Sequence, residues 1–334
     1  MSTRQIQVKH REQYIDAIKV FALLMVFLLH TQRGVEVTDP CHNFVLFYGA
    51  RCAMPLFFMV NGALILNKDT FTWEYYKVKV LNILRLLVLW GGVTFLYFLI
   101  LVPVGWRQAL KEGVKAILGY QWVINTWFFM TFIIIYTILL FGFNFIKQNI
   151  MKIVGILLCI CVIIEIISIV RIFKGGFFIQ DYINQRFRFW TWFFYFGLGY
   201  VLRKATIKIN KWVLLVITVG LTSLGVWWQY YICWIKTHQI ESNYMQDDLI
   251  IILWCICLFL CLKKFRTIQK ISIFVSASFG AFLLHSYFID YFNLRGLPKD
   301  VLEAFGIFIA LVLVTFIISF ILSKIPVVKW LVKY

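Results

Sequence analysis

The sequence predicts an all-α membrane protein, a polytopic bundle of about ten transmembrane helices with both termini in the cytoplasm. Three observations carry that prediction. First, 62% of the 334 residues are hydrophobic and only 14% are charged, against about 45 to 50% apolar and about 25% charged in soluble globular chains. Second, apolar runs long enough to cross about 30 Å of hydrocarbon recur along the whole chain. Third, Lys and Arg collect in alternate connecting segments. This composition excludes disordered, fibrous and ordinary cytosolic classes. The net charge of +18 would suggest nucleic acid in a soluble protein. Here it is what cations flanking the spans and resting on anionic headgroups produce, and no basic stripe apart from the apolar segments supports nucleic-acid binding.

The spans are expected near residues 14–32, 44–66, 80–103, 126–146, 152–170, 188–203, 212–235, 248–262, 272–293 and 302–323, the sixth and eighth being short. Thirteen polar and charged residues precede the first apolar run. That run is longer than a signal-peptide core and no small-x-small cleavage site follows it, so the first span is read as retained. With the N-terminus inside, the cytoplasmic segments carry Arg4, Lys9, Arg11, Lys68, Lys77, Lys79, Lys147, Lys152, Arg203, Lys204, Lys208, Lys211, Lys263, Lys264, Arg266, Lys270, Lys324, Lys329 and Lys333. They outnumber Arg33, Arg107, Lys111, Lys115, Arg171, Lys174, Arg186, Arg188, Lys236, Arg295 and Lys299 on the other side, which sets the orientation. No repeat or linker divides the chain, so residues 1–334 are expected to form one integral-membrane domain without a fused soluble one. Cys52, Cys159, Cys161, Cys233, Cys255, Cys257 and Cys261 fall in apolar stretches, Cys41 falls in a loop, and no CxxC pair occurs. Neither a disulfide framework nor a metal site is expected.

Ionisable side chains inside spans are costly, and each is a functional candidate. In the first span Asp16, Lys19 and His30 share one face at about 100° per residue, with His30 about 16 Å further across the membrane than Lys19. The alternative is an interfacial Asp16–Lys19 pair with His30 capping the outer end. In the second span Pro55 withholds the hydrogen bond due to the carbonyl of Arg51, which predicts a kink beside an arginine able to hold an anion or a carbonyl oxygen. The same arginine paired with an acid on another helix is the structural alternative. Asn61 and Gly62 follow, the glycine permitting close helix contact. Lys79, Asn82 and Arg85 enter the third span at three-residue steps; Arg85 either points inward or snorkels. Glu165 lies in mid-span in the fifth, a carboxyl with no partner assignable from sequence. In the ninth span His285 shares a face with Ser278, with Asp290 toward the outside, and reads either as a hydrogen bonder or as a catalyst.

Several of these stretches together resemble the acyltransferase type three family of integral-membrane O-acyltransferases. YIDAIKVFALLMVFLLH is similar to that family's first-span row of Asp, basic residue and His, with Lys19 where Arg is usual. MPLFFMVNGALIL resembles its Pro-Leu-Phe-Phe stretch, with Asn61 where Ser is commoner. NTWFFMTFIIIYTILLF, FFYFGLGYVL and SFGAFLLHSYFI are similar to its Trp-Phe, Phe-x-x-Gly and late His spans. The paired arginines of its third span are represented by Lys79, Asn82 and Arg85.

The resemblance implies transfer of an acyl group, usually acetyl, from cytoplasmic acetyl-CoA acting as donor substrate to a hydroxyl of a cell-surface or lipid-linked glycan. It implies a multi-pass protein of the inner or plasma membrane, without a metal. His30 is then the expected base that activates the hydroxyl, or a nucleophile that carries the acyl group. Arg51, Lys19 or Arg85 would hold the oxyanion, and Asp16 would hold Lys19 or orient a ring nitrogen, though not that of His30, which lies too far along the same helix. Lys77, Lys79 and neighbouring cations would attract the phosphates of coenzyme A. Because His30 lies deep, the pantetheine arm would have to enter the bundle, which predicts a transmembrane tunnel. A glycan transporter or flippase of similar architecture is the rival reading, and a proton-coupled sensor using His30, His285 and Glu165 a third.

Overall fold

The computed structural model describes residues 12–33, 40–102, 104–120, 126–238, 245–265 and 274–326, with Ile271, Lys329 and Val332; for Arg33 and residues 40–43 it describes the backbone alone. Arg4, Lys9, Arg11, Arg266, Lys270 and Lys333 lie outside the described residues, as do the side chains of Arg33 and Cys41. Among the described residues every regular element is helical: α1 (Gln13–Arg33), α2 (Pro40–Gly49), α3 (Ala53–Ile65), α4 (Trp73–Ile100), α5 (Trp106–Ile117), α6 (Trp127–Gln148), α7 (Ile150–Phe173), α8 (Phe189–Lys204), α9 (Lys211–Gln229), α10 (Leu249–Lys264), α11 (Val275–Asn293) and α12 (Val301–Lys324).

Among the described residues seven segments, Gln13–Gln32, Phe44–Ile65, Trp73–Ile100, Trp127–Gln148, Ile150–Phe173, Lys211–Lys236 and Val301–Lys324, are long and apolar enough to cross a membrane. The expected spans at 188–203, 248–262 and 272–293 fall on α8, α10 and α11, which do not meet that standard. At about 1.5 Å per residue the 16 residues of α8 and of α10 reach only about 24 Å. α8 is enclosed by the bundle, its aromatic run from Trp192 to Phe196 buried. α11 is diluted by Ser276, Ser278, His285, Ser286 and Asp290. The α5 helix was not expected. Its charged residues read as a loop, yet Gly113 lies close enough to α4 that a Cβ there would stand 2.8 Å from the carbonyl oxygen of Gly91.

The second span is broken as Pro55 requires. Between α2 and α3 the backbone tightens into one 3₁₀ turn, Ala50–Cys52, closed by the Ala53 amide donating to the Ala50 carbonyl. α4 begins earlier than expected because the Thr72 hydroxyl accepts from the Tyr75 amide at 3.3 Å and caps it. The closest crossing in the bundle is α3 against α8. A Cβ on Gly62 would sit 1.7 Å from the Phe196 carbonyl oxygen, and one on Gly199 1.8 Å from that of Met59. The two helices therefore touch backbone to backbone, as small residues allow.

Helix ends are tied by buried and half-buried cations. At one end, called here the Glu12 end, Arg203 donates to Glu12 at 2.7 Å and to the Ala63 carbonyl at 2.6 Å. Beside it Lys263 takes the carbonyls of Leu202, Arg203 and Ala205, groups that the end of α8 leaves without intrahelical partners. At the opposite end, the Arg186 end, the Arg186 guanidinium donates to the carbonyls of Leu118 and Gly119, both at 2.8 Å. α1 runs between these ends, packed by α3, α10, α11 and α12, which encloses its polar face within protein.

Candidate active site

α1 presents its charged residues to two cavities, one toward each end. Near the Glu12 end, Asp16 is buried and holds Lys19 at 3.6 Å. Lys19 lines a cavity of about 480 Å³ together with Leu23, Asn61, Ile83, Tyr136 and Ser278. Asn61 donates its amide to the Phe57 carbonyl one turn back, at 2.8 Å, which keeps its side chain against its own helix. Toward the Arg186 end, His30 and Arg51 line a second cavity of about 330 Å³ with Tyr120, Trp127, Asn184, Arg186 and Gln246. Met54, Phe128 and Phe282 line both cavities and form the wall between them. The rings of Phe128 and Phe282 meet edge to face at 5.0 Å.

The break before α3 aims Arg51 at His30's cavity. Arg51 is 1% exposed. Its guanidinium stacks over Tyr48 at 4.5 Å and Phe47 at 4.8 Å, and Nη1 lies 3.9 Å from Cys233 Sγ. A guanidinium is a planar cation with a fork of donors, so the second cavity places a cation beside an imidazole.

His285 packs behind that imidazole, the two rings 5.4 Å apart. Its Nδ1 contacts the Phe282 carbonyl, which can only accept, so Nδ1 carries the proton. Its Nε2 is then the acceptor for the Ser286 hydroxyl at 3.3 Å. Both nitrogens are thus engaged, and the ring stacks on Phe27 at 4.8 Å. His285 is not among the residues lining either cavity, and its geometry is that of a support for His30.

Polar contacts at the Arg186 end hold the loops in place. Glu165, without an assignable partner in the sequence, accepts from Gln180 at 2.8 Å. Gln180 also donates to Asp247 at 3.3 Å and accepts from Ser168 at 2.7 Å. Burial pushes the Asp247 carboxyl above its ordinary range. The hydroxyl of Thr191 at 2.5 Å and the indole of Trp190 at 3.3 Å work against that rise. Asp290, toward the end of α11, accepts from the Tyr97 hydroxyl at 2.7 Å.

The remaining sequence candidates lie on α4. Lys77 is exposed, its ammonium 5.2 Å from the Trp73 ring. Lys79 is half-buried, 5.9 Å from the Tyr75 ring and within electrostatic reach of Lys68 and Lys19. Asn82 is half-buried and Arg85 exposed. Ile83 between them is the α4 side chain that reaches the cavity, while Lys77, Lys79, Asn82 and Arg85 are not among the residues lining either cavity. The fold therefore gathers Asp16, Lys19, Asn61 and Lys79 toward one end and His30, Arg51 and His285 toward the other.

Sequence reasoning missed Tyr120, Trp127, Asn184 and Gln246 in the second cavity, and it took Arg186 for an ordinary flanking cation. Amides and aromatics near span ends carry no periodic signal, and only the fold shows them converging. The model of the acyltransferase domain of the type three family matches residues 12–324. No curated protein matches the chain, and no solved structure does.

Proposed function

Since the chain belongs to the acyltransferase type three family and is a multi-pass membrane acyltransferase, we propose that it moves an acetyl or other short acyl group from cytoplasmic acyl-coenzyme A to a hydroxyl of a cell-surface or lipid-linked glycan. The observation that carries this reading is the pair of abutting cavities. One holds Lys19 near the cation-rich Glu12 end, and the other holds His30 and Arg51, with Met54, Phe128 and Phe282 between them. Cation bias turns the Glu12 end to the cytoplasm of an inner or plasma membrane. Lys19, Lys68 and Lys79, clustered there, attract the phosphates of the donor, and the pantetheine arm extends past the wall of three apolar side chains.

In the second cavity a ring nitrogen of His30 takes the proton from the acceptor hydroxyl as its oxygen attacks the thioester carbonyl. The Arg51 guanidinium holds the oxyanion that forms. When the tetrahedral centre collapses, the C–S bond breaks and the thiolate of coenzyme A takes the proton from His30, leaving the ester. Asp16 fixes Lys19 at the donor end and has no part in the proton transfer, since the length of α1 separates it from His30.

The purified full chain in detergent, given acetyl-CoA and a surface-glycan preparation, is expected to release coenzyme A thiol in proportion to ester formed on the glycan. Glycan flux across proteoliposomes without thiol release would instead make it a transporter. In the same assay Arg51→Lys keeps the charge but loses the planar fork. It is expected to lower turnover by about 10²-fold. Turnover within twofold of wild type would remove Arg51 from the oxyanion role.

A further inference from the structure

The loop that leads into α10 is clamped residue by residue. Met245 is buried, receives the thiol of Cys233 at 3.8 Å, and has a positive φ of 49°, a conformation that costs a non-glycine residue energy and needs a surrounding reason. Asp247 takes three donors: Thr191, Trp190 and Gln180. Asp248 caps α10 through the amides of Ile250 and Ile251 and takes the Trp228 indole at 2.9 Å. The backbone of Gln246 is pinned as well, its carbonyl accepting from the Tyr195 hydroxyl at 2.8 Å.

Gln246 differs from these neighbours in its side chain. It is 4% exposed and lines the His30 cavity, yet among the described residues no group donates to its Oε1. A buried amide oxygen without a donor is a cost to the fold, and here it is held rigidly in a cavity wall. Trp127 and Tyr120 stand in the same cavity. Trp127 is fixed against Trp192 at 5.1 Å, and Tyr120 lies under the Arg186 guanidinium at 4.0 Å. Nε, Nη1 and Nη2 of Arg186 are each occupied, by Asn184, Leu118 and Gly119. That arginine therefore shapes the wall.

The geometry points to Gln246 as the acceptor-positioning residue of the His30 cavity. Its Oε1 accepts a hydrogen bond from one hydroxyl of a pyranoside whose apolar face rests on Trp127, which turns a second hydroxyl toward His30. This assignment rests on the transferase reading and narrows its acceptor to a sugar ring. The cavity of about 330 Å³ is at the small end of ligand sites. It suits one ring of a glycan, with the rest of the chain outside. An aromatic face and a preplaced acceptor oxygen select a ring with a C–H face and a neighbouring hydroxyl over a simple alcohol.

The test uses purified full-length protein in detergent with acetyl-CoA and methyl pyranosides of glucose, galactose and N-acetylglucosamine, with glycerol for comparison. Coenzyme A thiol release and thermal midpoint are read together. Gln246→Leu is expected to raise the pyranoside KM by about tenfold, with kcat changed less than about twofold, because one ground-state hydrogen bond is lost. Its thermal midpoint is expected to equal or exceed that of wild type, since the removed oxygen has no protein donor to lose. Gln246→Met, which keeps the chain length, serves if the leucine variant does not fold. An unchanged pyranoside KM in the folded variant overturns the assignment, as does a lowered midpoint with kcat lost and KM retained. Wild-type turnover of glycerol but of no pyranoside keeps the transferase and overturns the sugar subsite. Thiol release that answers to no acceptor overturns the transferase reading itself.

Discussion

His30→Ala is expected to lower acyl transfer by about 10²- to 10⁴-fold, the range for removing a general base. The loss should fall on kcat, because His30 meets the acceptor hydroxyl only as the proton moves. His30→Gln is the second variant, and it should lose activity to a similar extent. The glutamine variant keeps a polar side chain of similar reach beside His285, which separates loss of chemistry from loss of packing. Activity within tenfold of wild type in both variants would move the base elsewhere. His285 is a poor substitute, because Phe282 and Ser286 already occupy its two nitrogens.

Gly199→Ala is expected to cost about 3 kcal/mol or more, the upper range for overpacking a tight core. The added methyl would arrive 1.8 Å from the Met59 carbonyl oxygen. Backbone cannot rotate aside as a side chain can, so α3 and α8 must separate. Since α3 follows directly on the turn that aims Arg51 and itself carries Met54 and Asn61, activity should fall along with stability. Gly92→Ala is the control: nothing lies within 4 Å of a Cβ there, and alanine favours a helix over glycine by about 1 kcal/mol. Thermal unfolding in detergent, followed by tryptophan fluorescence, should show a large drop for residue 199 and none for residue 92. Equal drops would mean that the α3–α8 crossing is not the tight contact it looks.

Where the sequence was legible, a single helix or a single covalent constraint decided the matter. Asp16, Lys19 and His30 could be placed on one face because they belong to one helix. The break near Arg51 followed from the missing amide hydrogen of Pro55. Gly62 could be read as a contact point, but its partner carbonyl on Phe196 could not, because α8 lies far off in sequence. The same limit governs the site. Arg186 and Gln246 come from separate connecting segments and line the His30 cavity only once the helices are assembled. The sixth expected span reads as short from its apolar run, and α8 is 16 residues long. In α5 charged residues hid a helix held by the contact of Gly91 with Gly113.

The wall of Met54, Phe128 and Phe282 bears on the energetics of the cell. A membrane that stores work as an electrochemical gradient cannot hold a continuous file of water, since each charge that crosses dissipates about 2.3 kcal/mol per 100 mV. One thioether and two phenyl rings offer hydrated ions no ligand. On the proposed route an uncharged thioester arm would push past them and seal the passage with its own bulk, which would reconcile insulation with delivery in one constriction.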